Sequence, residues 1–307
     1  MQKNVLVIGS INVDYVIHTE RLPVLGETLT GSDFAMNFGG KGANQAVALA
    51  RAGCNVRMLG SVGSDRAGEL ALQNLRDFGV DTSAVMINDE KPTGAAVITV
   101  CGGDNHIILD PGANELVTPA VIHQNRALFE WADLLVMQLE IPVESVLAAA
   151  KLTRKTDTRV ILNPAPIKAL DPEIYSCIDL IIPNEHEAAD LTGVKTDDRE
   201  GAEEALRALC KLGCEQAIIT LGGRGCIYGS QESIASHGIF RVPRVDTTAA
   251  GDSFIGGLCA RLCEGDPLPD AIRYASATAA ITVSRKGASA SIPTRDEVVA
   301  FLQTQEN

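Results

Sequence analysis

Aromatic residues make up only 4% of this chain, with a single Trp. Stacking surfaces for bases are therefore scarce, which weighs against a nucleoside site. Positive charge is scarce as well: 26 Lys and Arg face 39 Asp and Glu, for a net charge of −13. That balance argues against a nucleic-acid binder. It also means that an anionic ligand must be held by local devices, because the overall field repels it. The eight cysteines contain no Cys-x-x-Cys pair. Cys210/Cys214 and Cys259/Cys263 lie four apart on predicted helices, a spacing that suits packing better than zinc ligation. The histidines at 18, 106, 123, 186 and 237 do not cluster with them. Reduced, mostly buried thiols and a cytoplasmic protein are expected. Met1-Gln-Lys-Asn leads straight into Val5-Leu-Val-Ile8, a run far too short for a signal peptide or a membrane span. No Gly-x-Gly-x-x-Gly follows that run, which disfavours a nicotinamide-linked oxidoreductase.

What is present reads as one α/β domain. The 307 residues are 46% hydrophobic, with a mean hydropathy of +0.10, enough for a large core. Apolar runs of strand length are Val5–Ile8, Val56–Leu59, Leu134–Met137, Val160–Leu162, Leu180–Ile182 and Ala217–Ile219. Amphipathic stretches such as Val143–Lys155 and Arg199–Leu212 separate them. Unbroken apolar strands alternating with helices predict a parallel sheet covered on both faces. Ligands of such sheets bind beyond the carboxyl ends of the strands. Asn12, Glu140, Asn163 and Asn184 all fall just after a predicted strand, so one shared cleft is expected. Asp14–Gly39 alternates in places and lacks a helix; Thr93–Val100 and Asn105–Asp110 flank the turn Gly102-Gly103-Asp104. These stretches predict a small separate β-sheet.

Two segments carry chemistry. Asp246-Thr-Thr-Ala-Ala-Gly-Asp252-Ser253-Phe254 precedes a helical repeat of Phe254, Ile255, Leu258, Cys259, Leu262 and Cys263, so a helix is predicted to begin near Ala250. Its start offers free N–H groups and partial positive charge, and the small residues let an anion approach the backbone. An acid beside an anion site is what phosphoryl transfer to a hydroxyl needs. An Asp there is equally an ordinary helix-start residue. In Asn37-Phe-Gly39-Gly40-Lys41-Gly42-Ala43-Asn44-Gln45-Ala46, glycines flank a lysine before an Ala-rich helix. This is not a P-loop, because Gly42 follows Gly40-Lys41 and position 35 is Ala.

Together these segments resemble the two signatures of the ribokinase-like, or phosphofructokinase-B, family of carbohydrate kinases. The resemblance spans nearly the whole chain. It takes in Gly9-Ser-Ile-Asn12-Val-Asp14, Met137-Gln-Leu-Glu140, Asn163-Pro-Ala-Pro166, Pro183-Asn184-Glu-His-Glu187, Thr220-Leu-Gly-Gly-Arg-Gly225 and Arg285-Lys-Gly287. It implies a three-layer α/β/α fold with a mostly parallel central sheet. It also implies one kinase domain over 1–307, with a β lid from about 14–39 and 93–111 that often pairs with a second subunit, hence a homodimer.

The activity implied is ATP-dependent phosphorylation of the 5-hydroxyl of D-ribose, with Mg²⁺ accompanying ATP. Deoxyribose, a ketohexose, a nucleoside, or sugar binding without catalysis remain open. Asp252 would be the general base, with the N–H groups of Ala249, Ala250 and Gly251 on the transferred phosphoryl group. Asn12, Asp14, Gly39, Gly40, Lys41, Asn44 and Glu140 would close on the sugar. Asn184 and Glu187 would lie near Mg²⁺ and phosphates, largely through water, while also forming a helix capping box. Thr220, Gly222 and Gly225 resemble the nucleotide-side loop, and Ser276 falls where an adenine neighbour is implied. Asp246, Thr248, Thr282, Arg285, Gly287 and Ser291 match positions that surround K⁺ in the family.

Overall fold

The computed structural model describes residues 3–102 and 104–305. The chain opens with β1 (Asn4–Ile8), whose Val5 to Ile8 are wholly buried. It then leaves the main sheet at once for β2 (Asn12–Thr19) and β3 (Ser32–Gly39). Helix α1 (Lys41–Arg51), strand β4 (Asn55–Gly63), helix α2 (Arg66–Asp77) and strand β5 (Asp81–Asn88) follow. The hairpin strands β6 (Gly94–Cys101) and β7 (Asp104–Asp110) come next, and Gly103, expected in their turn, lies outside the described residues. Two short helices, α3 (Pro119–Gln124) and α4 (Ala127–Trp131), lead to β8 (Leu134–Met137), α5 (Val143–Thr153) and β9 (Arg159–Leu162). Beyond lie β10 (Leu180–Ile181), α6 (Glu185–Thr192), α7 (Arg199–Leu212), β11 (Gln216–Thr220), β12 (Cys226–Gly229) and β13 (Ile234–His237). Helices α8 (Ala250–Glu264), α9 (Leu268–Val283) and α10 (Arg295–Thr304) complete the order.

The main sheet runs β13-β12-β11-β10-β9-β8-β1-β4-β5. It is parallel from β5 to β11, and β12 and β13 join antiparallel at one edge. Side chains alternate across its faces as pleated strands require. Val5, Val7 and Val136 join α1, α2, α8 and α9 in one core, and Leu6, Ile8, Leu135 and Met137 join α3, α5 and α7 in the other. The second sheet runs β3-β2-β6-β7, with β2 parallel to β6 and the outer pairs antiparallel.

The strand predictions on unbroken apolar runs land on β1, β4, β8, β9, β10 and β11. Asn12, expected just after β1, is the first residue of β2, and Asp14, where the separate sheet was expected to begin, is its third, because the chain needs only Gly9-Ser10-Ile11 to change sheets. Cys214, expected on a helix with Cys210, lies past the end of α7, which Gly213 terminates.

Candidate active site

Gly40 opens α1 with a positive φ of 88°, a conformation that favours glycine, and no side chain of its own segment caps the helix. The cap comes through space. Glu140, from the loop after β8, accepts from the N–H of Lys41 at 3.0 Å and from the hydroxyl of Ser10. Ser10 Oγ in turn accepts from the N–H of Gly42 at 3.3 Å. A Cβ at Gly42 would stand 2.6 Å from backbone atoms of Gly9 and Ser10, so glycine is what lets α1 start against this link. Glu140 thus neutralises the positive end of α1; unlike Asn163 and Asn184, neither it nor Asn12 lines the cleft that Lys41 enters.

Helix α8 begins from a strained alanine. Ala249 takes a left-handed φ of 59°, which costs a non-glycine residue about 1–2 kcal/mol. The N–H of Ala250 donates to Thr247 O at 3.2 Å. It is therefore engaged in its own turn, whereas the N–H groups of Ala249, Gly251 and Asp252 have no acceptor among the described residues. A Cβ built at Gly251 would meet nothing within 4 Å. The protein's own packing does not require glycine there, and the position is open to the cleft that Gly251 lines.

Asp252 is buried, and its carboxylate is held by two amides. Asn44 Nδ2 donates to Oδ2 at 3.1 Å and Gln45 Nε2 to Oδ1 at 2.9 Å. Burial pushes Asp252 above the usual carboxylate range, against the pull of Lys41 and the two amides. Asp14 rises to about 6, through burial first and then through Glu140 and Asp252. Among the described residues nothing donates to the Asp14 carboxylate, and the buried Oδ1 of Asn44 also lacks a partner. Burial alone would lower Lys41, but Asp252, Glu140 and Glu187 overcome it and hold the ammonium more firmly charged. Three acids therefore share one lysine.

On the other side of the cleft, Asn184 and Glu187 form the capping box of α6: Asn184 Oδ1 accepts from Glu187 N and Glu187 Oε2 from Asn184 N, both at 2.8 Å. Burial raises Glu187 despite that bond and Lys41. Lys41, Asn184, Glu187, Thr220, Gly251 and Asp252 line one cleft of about 210 Å³ at the carboxyl ends of the strands. Gly222 and Gly225 shape the turn after β11 with φ of 53° and 85°; neither lines that cleft, nor does Ser276, half-buried on α9. The Asp246 group forms a latch. Its Oδ1 accepts from Thr248 N and Oγ1, and its Oδ2 from Gly287 N at 3.0 Å. Burial would raise Asp246, but these donors lower it. Of the other side chains of that set, Thr282 and Ser291 are buried and donate to Thr278 O and Ala288 O, while Arg285 pairs with Glu297 in a partly exposed ion pair.

The sequence named the acids and the lysine but gave no role to the polar frame behind them. Gln45 also donates to Asn163 Oδ1, Gln138 Nε2 donates to Gln45 Oε1, and Asn114 Nδ2 holds Asn12 Oδ1 at 2.8 Å. Gln138 had a signal, being a polar residue flanked by apolar Met137 and Leu139 at a strand end.

The model of the pfkB family carbohydrate kinases matches residues 2–295. The chain belongs to this family, and it is a sugar phosphotransferase. It is 41% identical over 304 residues to ribokinase of Haemophilus influenzae, covering 99% of both chains. It is 34% identical over 306 residues to deoxyribokinase of Salmonella typhimurium, covering 99% of this chain and all of that one. The structure of Arabidopsis thaliana ribokinase complexed with ribose and ATP superposes with a TM-score of 0.95 at 32% identity, covering 99% of each chain.

Proposed function

We propose that this protein transfers the γ-phosphoryl group of ATP to the 5-hydroxyl of D-ribose, giving D-ribose 5-phosphate. The observation that carries the reading is the buried Asp252 carboxylate, fixed by two amides beside an anion-binding helix start with open space at Gly251. The relatives named ribokinase support ribose as the sugar.

In this reading Asp252 Oδ takes the proton of the 5-hydroxyl as the oxygen attacks phosphorus. The N–H groups of Ala249 and Gly251, joined by that of Asp252, hold the developing charge, while that of Ala250, expected with them, is engaged by Thr247 O. Asp14 and Asn44 Oδ1, both lacking partners, accept from ribose hydroxyls, with Asn12, Glu140 and the Gly39-Gly40-Lys41 turn closing around them. Asn184, Glu187 and Thr220 face the phosphates. The Glu187 carboxylate and the Asn184 amide are oxygen donors suited to a hydrated Mg²⁺, which would neutralise phosphate charge. The carbonyls around 282–291 and the Asp246 latch fit a large monovalent cation such as K⁺. The four-stranded sheet serves as the lid over the sugar and pairs with a second copy, supported by exposed Phe34, Ile107 and Ile108. The eight free thiols support a cytoplasmic setting.

The test is ADP release with Mg-ATP against ribose, deoxyribose, fructose, arabinose, adenosine and no sugar. Ribose should lead. Deoxyribose should fall behind by roughly one to two orders of magnitude in kcat/KM, since a missing hydroxyl leaves buried acceptors unpaired at about 1–3 kcal/mol. Asp252→Asn should lower kcat by roughly 10²–10⁴. Equal use of deoxyribose would displace ribose as the substrate.

A further inference from the structure

Gln45 is wholly buried, one residue along α1 from Asn44, and does not line the cleft. Its amide is nonetheless the hub of the buried polar frame. Nε2 donates to Asp252 Oδ1 at 2.9 Å and to Asn163 Oδ1 at 3.1 Å, and Oε1 accepts from Gln138 Nε2 at 2.6 Å. The orientation is forced, because a reversed amide would set its oxygen against two acceptor oxygens. Gln138 is itself wholly buried and packs where Gly9 has no side chain: a Cβ there would stand 2.0 Å from Gln138 Oε1. Asn163 is anchored by donating to Ile182 O at 2.9 Å, two residues before Asn184. One continuous chain of amides therefore runs from Gln138, packed against Gly9, through Gln45 to Asp252 and through Asn163 to the backbone before Asn184.

The direct partners of the Asp252 carboxylate are both neutral. A cation in contact would hold the acid ionised and weaken it as a proton acceptor, whereas neutral amides fix its orientation with a smaller electrostatic pull. We infer that Gln45 is a positioning residue of the reaction: it locks the Asp252 carboxylate in its working orientation and tunes it as a proton acceptor while touching neither sugar nor nucleotide. This rests on the reading of Asp252 as the base.

The experiment compares Gln45→Met, which keeps the bulk and removes the amide, with Gln45→Glu, which puts a second carboxylate against Asp252. Asp252→Asn is the reference. Gln45→Met should lower kcat about 10- to 100-fold, the range for losing a hydrogen bond to a charged group, with ribose affinity by calorimetry close to the parent. Gln45→Glu should move the acid limb of kcat/KM to higher pH by about one unit or more, through like-charge repulsion. Gln138→Leu leaves Gln45 in place but removes its anchor, and should lower kcat less than Gln45→Met, again with ribose affinity retained. A parental kcat in Gln45→Met and an unmoved limb in Gln45→Glu, beside an inactive Asp252→Asn, would overturn the role of Gln45 alone. A fully active Asp252→Asn would overturn the base assignment and this inference with it.

Discussion

At Gly251 stability and activity should separate. The position lies in the first turn of α8, and a Cβ there would touch no protein atom. Gly251→Ala should therefore leave thermal stability unchanged or raise it by about 0.4–1 kcal/mol, through a more restricted unfolded chain and better helix propensity. If the space is for the transferred phosphoryl group, kcat/KM for ATP should drop at least tenfold, as for a lost anion-hole donor. Paired melting curves and turnover assays check this, and undiminished turnover would mean that the space is unused. Asp14 offers a pH readout. Burial and two neighbouring acids raise it to about 6, so it is neutral in the free protein below that pH and charged above it. Ribose hydroxyls would donate to the charged form, so affinity should be flat above about pH 7 and weaken as pH falls through 6. In Asp14→Asn affinity should be weaker and lose this pH dependence; calorimetry from pH 8 to pH 5 decides. The sequence exposed these residues because acids and glycines beside a lysine are conspicuous. It could not show that both Asn44 and Gln45 reach one carboxylate, since that follows from where α8 docks on α1.

Among the elements, the start of α8 depends on the turn before it. Ala249 holds a left-handed backbone there, and Asp246 ties that turn to Gly287. A monovalent cation among the carbonyls of that loop would stiffen the anion-binding turn. Replacing Na⁺ by K⁺ at constant ionic strength should raise the rate several-fold, an estimate from electrostatic preorganisation. Asp246→Ala should abolish the difference, and equal rates in both ions for the parent protein would remove the cation from the mechanism. Strands buried on both faces were legible as apolar runs, and α7 matches its predicted span Arg199–Leu212. β5, β12 and β13 were not among the predicted strands. β5 begins on polar Asp81-Thr-Ser at one sheet edge, and β12 and β13 are four-residue antiparallel strands at the other, so neither place shows the apolar signature.

For the whole molecule, the four-stranded sheet leaves β7 exposed along its length, and Ile107 and Ile108 are 60% and 74% exposed. On the side that Ile108 shares with its register partner Val97, itself 48% exposed, the sheet presents an apolar surface with reason to be covered. Ile108→Glu should convert a dimer to a monomer in sedimentation analysis, with weaker ribose binding if each lid braces the other; a parent protein already monomeric at micromolar concentration would refute the pairing. The bond between Asn44 and Asp252 spans 208 positions, and that between Ser10 and Glu140 spans 130. During synthesis, the Ser10–Glu140 clasp and the capped start of α1 therefore become available well before α8. In the proposed mechanism α8, followed in the chain only by α9 and α10, would carry both the proton acceptor and the N–H groups for the phosphoryl charge on one helix. On that mechanism a nascent chain that has not yet docked α8 would hold neither, and the capacity to split ATP would be gained in a single late step of folding.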